Sequence, residues 1–159
     1  MAGNIRLKIC DDAAQVAIEA AAMFDELIRA NPDSVIGLAT GSTPEATYAE
    51  IARRHKEDGL SLAGVSSFNL DEYWGLGGDH DQSYRYFMQD NLFRHVDILP
   101  FNTHVLNGKA RFPQLECEGF ENRILAAGGI DMWLLGIGGN GHIAFNEPGS
   151  GVDSRTRLV

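Results

Sequence analysis

Cysteine is scarce in this sequence of 159 residues. Cys10 and Cys117 stand far apart and in no metal-ligand spacing, so neither a disulfide framework nor a cysteine-based metal site is expected. No secretory pattern is visible, and a reducing, cytoplasmic setting is the expectation. Positive charge is also short: 13 Lys and Arg stand against 22 Asp and Glu, a net charge of −9. Such a chain repels nucleic acid and anionic lipid, which argues against both as partners. Long apolar runs are missing too. The longest, at 132–137, is far too short to cross a bilayer. There is no internal repeat, no low-complexity segment and no basic arm. The five histidines, His55, His80, His95, His104 and His142, show no HExxH or His-x-His spacing, so nothing asks for a metal.

What is present suits one soluble α/β domain spanning 1–159. Eighteen glycines cluster after apolar runs, as tight turns at strand ends do. Short apolar runs predict strands at 5–10, 35–39, 65–70, 103–106 and 131–137, with a further strand beginning at 156–159. Helices are predicted between them. One runs from a cap at Asp11 or Asp12 to Ile28, with Val16, Ala20, Met23, Phe24 and Leu27 on its apolar face; Asn31-Pro32 ends it. Others span 44–56, 83–93 and 112–127. This alternation predicts an open, mainly parallel sheet with helices on both faces, a Rossmann-like three-layer architecture. Ligands of such sheets bind beyond the carboxyl ends of the strands.

Three strand ends carry unusual loops. Thr40-Gly41-Ser42-Thr43-Pro44 places a glycine turn and three hydroxyls before a helix start. That arrangement aims N–H donors at one point and suits a phosphate. In an acidic chain a phosphate needs such local donors. The bland alternative is a capped turn with no ligand; there is no Lys in Walker spacing, so a nucleotide P-loop is not indicated. Asp71-Glu72 ends the next strand and could move protons, or could simply leave the strand for water. The third loop, 136–148, contains Gly136, Gly138, Gly139 and Gly141, followed by His142 and, five residues on, Glu147. An imidazole titrates near neutrality, and a carboxylate nearby could orient it if the loop folds back. Gly136-x-Gly138-x-x-Gly141 also fits a dinucleotide fingerprint. That motif needs a helix to start inside it, whereas Asn146, Pro148, Gly149 and Gly151 follow. A nicotinamide or flavin cofactor is therefore not expected.

These segments resemble the glucosamine-6-phosphate deaminases. The likeness lies in Leu38-Ala39-Thr40-Gly41-Ser42-Thr43-Pro44, Phe68-Asn69-Leu70-Asp71-Glu72-Tyr73 and the run from Gly138 to Pro148, with Ser83-Tyr84 and Leu106-Asn107-Gly108 in support. It extends over nearly the whole chain, in order, and His142-Ile143-Ala144-Phe145-Asn146-Glu147-Pro148 is its most specific part. The resemblance implies an amino-sugar phosphate as substrate and fructose 6-phosphate and ammonia as products. It implies Asp71 as proton acceptor in enolisation, and His142 as acid/base of ring opening, supported by Asn140 and Glu147. Thr40, Gly41, Ser42, Thr43 and Gly138 would bind substrate and its phosphate. Some family members have aspartate where Asn140 stands; an amide can act on His142 only by hydrogen bonding. No cofactor or metal is implied, and a homo-oligomer is compatible with the likeness.

Family members continue past this length, through further strands, a lid and basic phosphate ligands. The chain is therefore expected to be the N-terminal part of a longer one, with an exposed sheet edge. Two other readings stand beside the first: a 6-phosphogluconolactonase-like hydrolase, and a non-catalytic sugar-phosphate sensor. Phe145-Asn146-Glu147-Pro148 and Asp71-Glu72-Tyr73 argue against the hydrolase, and no DNA-binding helix-turn-helix accompanies the chain as a sensor would require.

Overall fold

Four short strands, β1 (Val35–Leu38), β2 (Ser66–Asn69), β3 (Thr103–His104) and β4 (Met132–Trp133), lie parallel in the order β3-β2-β1-β4 among the described residues. They belong to a computed structural model that describes residues 5–159. Four helices connect or flank them: α1 (Ala13–Ala30), α2 (Glu45–Asp58), α3 (Tyr84–Asn91) and α4 (Pro113–Ala126). The chain winds outward from β1 through β2 to β3, then returns through α4 to pair β4 on the other side of β1. The winding direction thus reverses between β1 and β4, the seam at which open α/β sheets open a binding crevice.

Strand β1 is apolar and buried throughout because it is covered on both faces. Ile36 and Leu38 join Phe24 and Ile28 of α1, Tyr48 and Ile51 of α2 and Met88 of α3 in the larger core. Val35 points the other way and meets Phe68 and Phe120, so α4 covers the opposite face. Asp131 sets the register of β4: its Oδ2 accepts from the N–H of Val35 at 2.8 Å and its own N–H donates to Val35 O at 2.8 Å. Local chemistry starts and stops the helices. The Asp12 carboxylate accepts from Gln15 N–H at the head of α1, and Ser83 Oγ accepts from Tyr86 N–H at the head of α3. Gly59, left-handed at φ 68°, ends α2. Arg54 of α2 reaches Asp25 of α1 at 3.0 Å and Glu50 at 2.8 Å, bracing the two helices where the side chains are mostly sheltered from water.

The expected three-layer, parallel architecture is the one found. Several boundaries differ. Residues 5–10 form no strand: Ile5, Leu7 and Ile9 are 96, 85 and 86 % exposed. Their alternation suits a half-buried strand, but no described strand lies alongside to complete a ladder. Residues 156–159 likewise make no strand; Thr156 is held instead by Glu121 of α4 through its N–H and hydroxyl, both at 2.8 Å. The buried stripe of α1 is Ala17, Ala21, Phe24 and Ile28, one step round from the expected face. Small alanines let α1 lie close to α2, while Val16 and Met23 stay half exposed. The strand expected at 131–137 closes after Trp133, and α2 begins at Glu45 with no side-chain cap from Thr43.

Gly37 has a specific reason to be glycine. The indole of Trp133 lies against its Cα, and a methyl group there would overlap the ring. Gly37→Ala is expected to cost about 1–3 kcal/mol through displacement of Trp133 from the β1–β4 seam. A denaturant midpoint no lower than that of the unaltered chain would contradict this account.

Candidate active site

A cleft of about 490 Å³ opens at the carboxyl ends of β1, β2 and β4. That is the volume expected of a small-molecule site. Its walls come from the three loops singled out in the sequence: Thr40, Thr43 and Pro44 after β1, Leu70 and Asp71 after β2, and Gly136, Gly138 and His142 after β4. Of the residues given roles, Asp71, His142, Thr40, Thr43 and Gly138 line the cleft directly. Gly41, Ser42, Asn140 and Glu147 are exposed and are not part of that lining.

The loop after β1 is anchored before it turns. Tyr48 is fully buried, and its hydroxyl donates to Ala39 O at 2.5 Å. Asn69 Nδ2 donates to Leu38 O at 3.2 Å. Gly41 then takes φ 101°, a left-handed value that favours glycine. The chain emerges at Pro44 and enters α2, whose first amides have no partner within the helix. Free amides at a helix start beside a glycine turn are chemistry that suits an anion.

The two acids after β2 part company. Asp71 faces the cleft, and its Oδ1 is buried with no hydrogen-bond partner among the described residues. Burial, and after it the negative charge of Glu72, push the Asp71 carboxyl up from its ordinary 3.8 to about 6. A carboxyl poised there is ionised near neutral pH yet holds a proton more tightly than an exposed one, as a general base needs to. Glu72 instead accepts three backbone N–H groups.

The third loop folds back as its sequence suggested, with the amide in the middle. His142 Nδ1 lies 2.7 Å from Asn140 Oδ1, and Asn140 Nδ2 donates to Glu147 Oε2 at 2.7 Å. Glu147 Oε1 itself is 3.7 Å from Nδ1. Accepting through its oxygen, Asn140 requires the proton on Nδ1, so Nε2 is left to receive or give one on the other side of the ring. Gly138 supports this arrangement: the imidazole lies directly over it, and Gly138 N–H donates to His142 O at 2.9 Å. The loop turns back at Ala144, whose φ of 52° is unusual for a residue with a side chain, and Asn146 N–H donates to Ile143 O at 3.0 Å. No helix begins within 136–141, so the structural half of the dinucleotide fingerprint is not met.

Sequence reasoning missed part of the wall. Tyr84 and Phe145 line the cleft, as do Val16 and Ala20 of the α1 face expected to be core, with the buried Ala17 beside them. The Tyr84 hydroxyl is 3.1 Å from that of Tyr73, their rings lie 4.8 Å apart, and Tyr73 is 6.1 Å from Phe145. Burial first, then the Tyr73 hydroxyl and the Asp71 charge, raise the Tyr84 phenol above its usual range. The signal for Tyr84 was its place directly after the cap Ser83; that for Phe145 was its place in the most specific run.

Known proteins carry the same frame. The family model for glucosamine-6-phosphate isomerases/6-phosphogluconolactonase matches residues 11–154. The chain belongs to that family. Glucosamine-6-phosphate deaminase 1 of Giardia intestinalis is 56 % identical over 156 residues, 98 % of this chain and 58 % of its own length. The glucosamine-6-phosphate deaminase of Shewanella woodyi is 53 % identical over 97 % of this chain and 58 % of its own length. A solved monomeric glucosamine-6-phosphate deaminase superposes with a TM-score of 0.92 at 42 % identity, covering 94 % of this chain and 62 % of its own. The 6-phosphogluconolactonase of Thermotoga maritima, at 24 % identity and a TM-score of 0.69 over 86 % of this chain and 61 % of its own, shares the fold. Within the family the chain therefore stands nearer the deaminases than the lactonases. It spans 58 % of the length of the two curated relatives described. No helix among the described residues is long and apolar enough to cross a membrane.

Two expectations test this geometry. Gly138→Ala should push the imidazole off its seat, breaking the Nδ1 contact to Asn140; an unchanged His142 ring NMR spectrum would refute the seat. Asp71 binds its proton more tightly folded than unfolded, so it favours the fold at low pH, and that contribution is lost as pH rises from about 4 to about 6. Above pH 6 the charged carboxylate weighs against folding, and Asp71→Asn should stabilise the protein by up to about 3 kcal/mol at pH 7.5. Equal melting temperatures at pH 7.5 would contradict the raised value.

Proposed function

We propose that this chain forms the sugar-phosphate-binding and catalytic part of a glucosamine-6-phosphate deaminase. The observation that carries the reading is the meeting of Asp71 and His142, borne by separate strands, in one cleft beside the anion-binding turn at Thr40–Thr43. The relatives of more than half identity, named as deaminases, support it. Every residue given a role comes from a single chain.

The amino sugar enters with its phosphate against the turn, where Thr40, Gly41, Ser42 and Thr43 offer hydroxyl and backbone donors. His142 opens the pyranose: Nε2 takes the proton of the anomeric hydroxyl and returns it to the ring oxygen as the C1–O5 bond breaks. Asn140, tied to Glu147, holds the tautomer that leaves Nε2 free. Asp71 then removes the C2 proton of the open-chain aldehyde while O1 takes up the proton shed by the C2 ammonium, giving an enolamine, and Asp71 delivers the proton it took to C1, leaving an iminium at C2. That iminium takes up water, and ammonia leaves as the C2–N bond breaks, giving fructose 6-phosphate. Proton transfer at a carbon needs a base close to its working pH, which burial supplies at Asp71.

In a chain carrying these residues at the full length of the relatives, ammonia release from glucosamine 6-phosphate should fall by at least about a thousandfold in Asp71→Asn. The acid limb of kcat/KM should lie near pH 6, because the base is lost as pH falls through the raised Asp71 value. Wild-type turnover in Asp71→Asn would remove the carboxylate from the mechanism. Hydrolysis of 6-phosphogluconolactone faster than deamination would replace the substrate assignment.

A further inference from the structure

Asp71 and Glu72 are neighbours in sequence with opposite placements. Glu72 turns out of the cleft and gathers three backbone donors: Tyr73 N–H at 2.8 Å and Tyr84 N–H at 2.9 Å on Oε1, and Arg85 N–H at 3.0 Å on Oε2. The chain leaves at Tyr73, makes an excursion over 74–83 with a left-handed turn at Gly75 (φ 104°), and returns at Tyr84. One carboxylate therefore ties both ends of that excursion to the residue beside Asp71. Tyr73 and Tyr84, the residues whose amides it holds, stack at 4.8 Å, and Tyr84 forms part of the cleft wall beside Asp71.

Capping alone does not account for Glu72. Ser83 already caps α3 through Tyr86 N–H at 3.0 Å. Nor is Glu72 half of a salt bridge. Arg85, whose backbone N–H Glu72 holds, aims its guanidinium at Thr103, donating to the carbonyl at 3.0 Å and the hydroxyl at 3.4 Å. The Glu72 charge stays unneutralised by a contact partner and acts on Asp71, which also feels Tyr84 on α3 and shares the cleft with His142 across it.

We propose that Glu72 is a positioning residue for the deaminase chemistry, fixing Asp71 and the Tyr84 ring at their working places by holding the amides of Tyr73, Tyr84 and Arg85. This rests on the function proposed above. Glu72 contributes twice: its two oxygens set the geometry, and its charge adds to burial in raising the pH at which Asp71 is ionised.

Two substitutions separate these contributions, studied at the full length of the relatives. Glu72→Asp keeps the charge but is one methylene too short to span from Tyr73 to the head of α3. Glu72→Gln keeps the length and removes the charge, and it turns an NH2 group toward Arg85 N–H. With glucosamine 6-phosphate, Glu72→Asp should lose about ten- to a hundredfold in kcat, with KM changed far less and the acid limb unmoved. In Glu72→Gln the acid limb should move to lower pH, since a negative neighbour that raised Asp71 is gone. Faster amide exchange at Tyr84 and Arg85 should appear in both. Wild-type kcat in both variants, or activity lost in both with no shift of the limb in Glu72→Gln, overturns the proposal. If the unaltered protein does not release ammonia, the functional reading fails separately. The clamp then stands or falls on amide exchange at Tyr84 and Arg85 and on NMR titration of the Asp71 carboxyl: unchanged exchange and an unchanged titration reject it.

Discussion

The end of β1 is the constraint on which the site depends. A strand that stops inside a protein leaves carbonyls that the sheet no longer satisfies, and each must find a donor. Here Leu38 O takes the Asn69 side chain from the neighbouring strand end and Ala39 O takes the Tyr48 hydroxyl from the helix that follows. Both donors are fully buried, so water does not compete with them. They fix where the chain leaves the sheet and the angle at which it enters α2. Because β1 is also the strand at which the winding reverses, that exit point lies on the open seam between β1 and β4. The turn after β1, the Asp71 loop and the His142 loop meet there as a result of topology.

On the proposed function, an acidic protein must accept a sugar phosphate, and the site meets that conflict by where it places charge. The turn at Thr40–Thr43 offers backbone dipoles and hydroxyls in place of a cation. At the imidazole, Asn140 passes a hydrogen bond from Glu147 to Nδ1 without adding another negative group to the lining. Glu72 is the exception: its charge faces away from the cleft and is spread over three amides, yet still reaches Asp71 through the protein interior. In such surroundings a carboxylate is kept reactive by what it lacks, namely the donors that would lower its affinity for a proton.

The layered fold was legible because it rests on short-range signals: apolar runs closed by glycine, a capping aspartate, a proline after a helix. So were the three loops, since glycine, hydroxyl and acid residues at strand ends have few structural uses in combination. The errors came from long-range pairing. Ile5, Leu7 and Ile9 alternate as a strand should, but alternation specifies a strand only where a neighbour supplies the ladder. The rotation of α1 was misread because alanine is small rather than strongly apolar, and the buried Ala17 and Ala21 suit a helix that lies close to α2. That misreading hid the apolar wall formed by Val16 and Ala20. The partition of Asp71 from Glu72 was invisible in sequence, because it depends on the return of the chain at Tyr84.

Asp71 shows how binding and chemistry are linked. Its Oδ1 is buried without a partner among the described residues, and an unsatisfied buried acceptor costs on the order of 1–3 kcal/mol. A hexosamine placed between Asp71 and His142 carries hydroxyl and amino donors at neighbouring carbons, one of which can supply the missing hydrogen bond. On the proposed function, such binding would offset that cost, and the same hydrogen bond would hold the carboxylate beside the sugar. A C2 proton moving onto the carboxylate would then remove charge that burial disfavours, so the environment that raises its proton affinity would favour the step proposed for it.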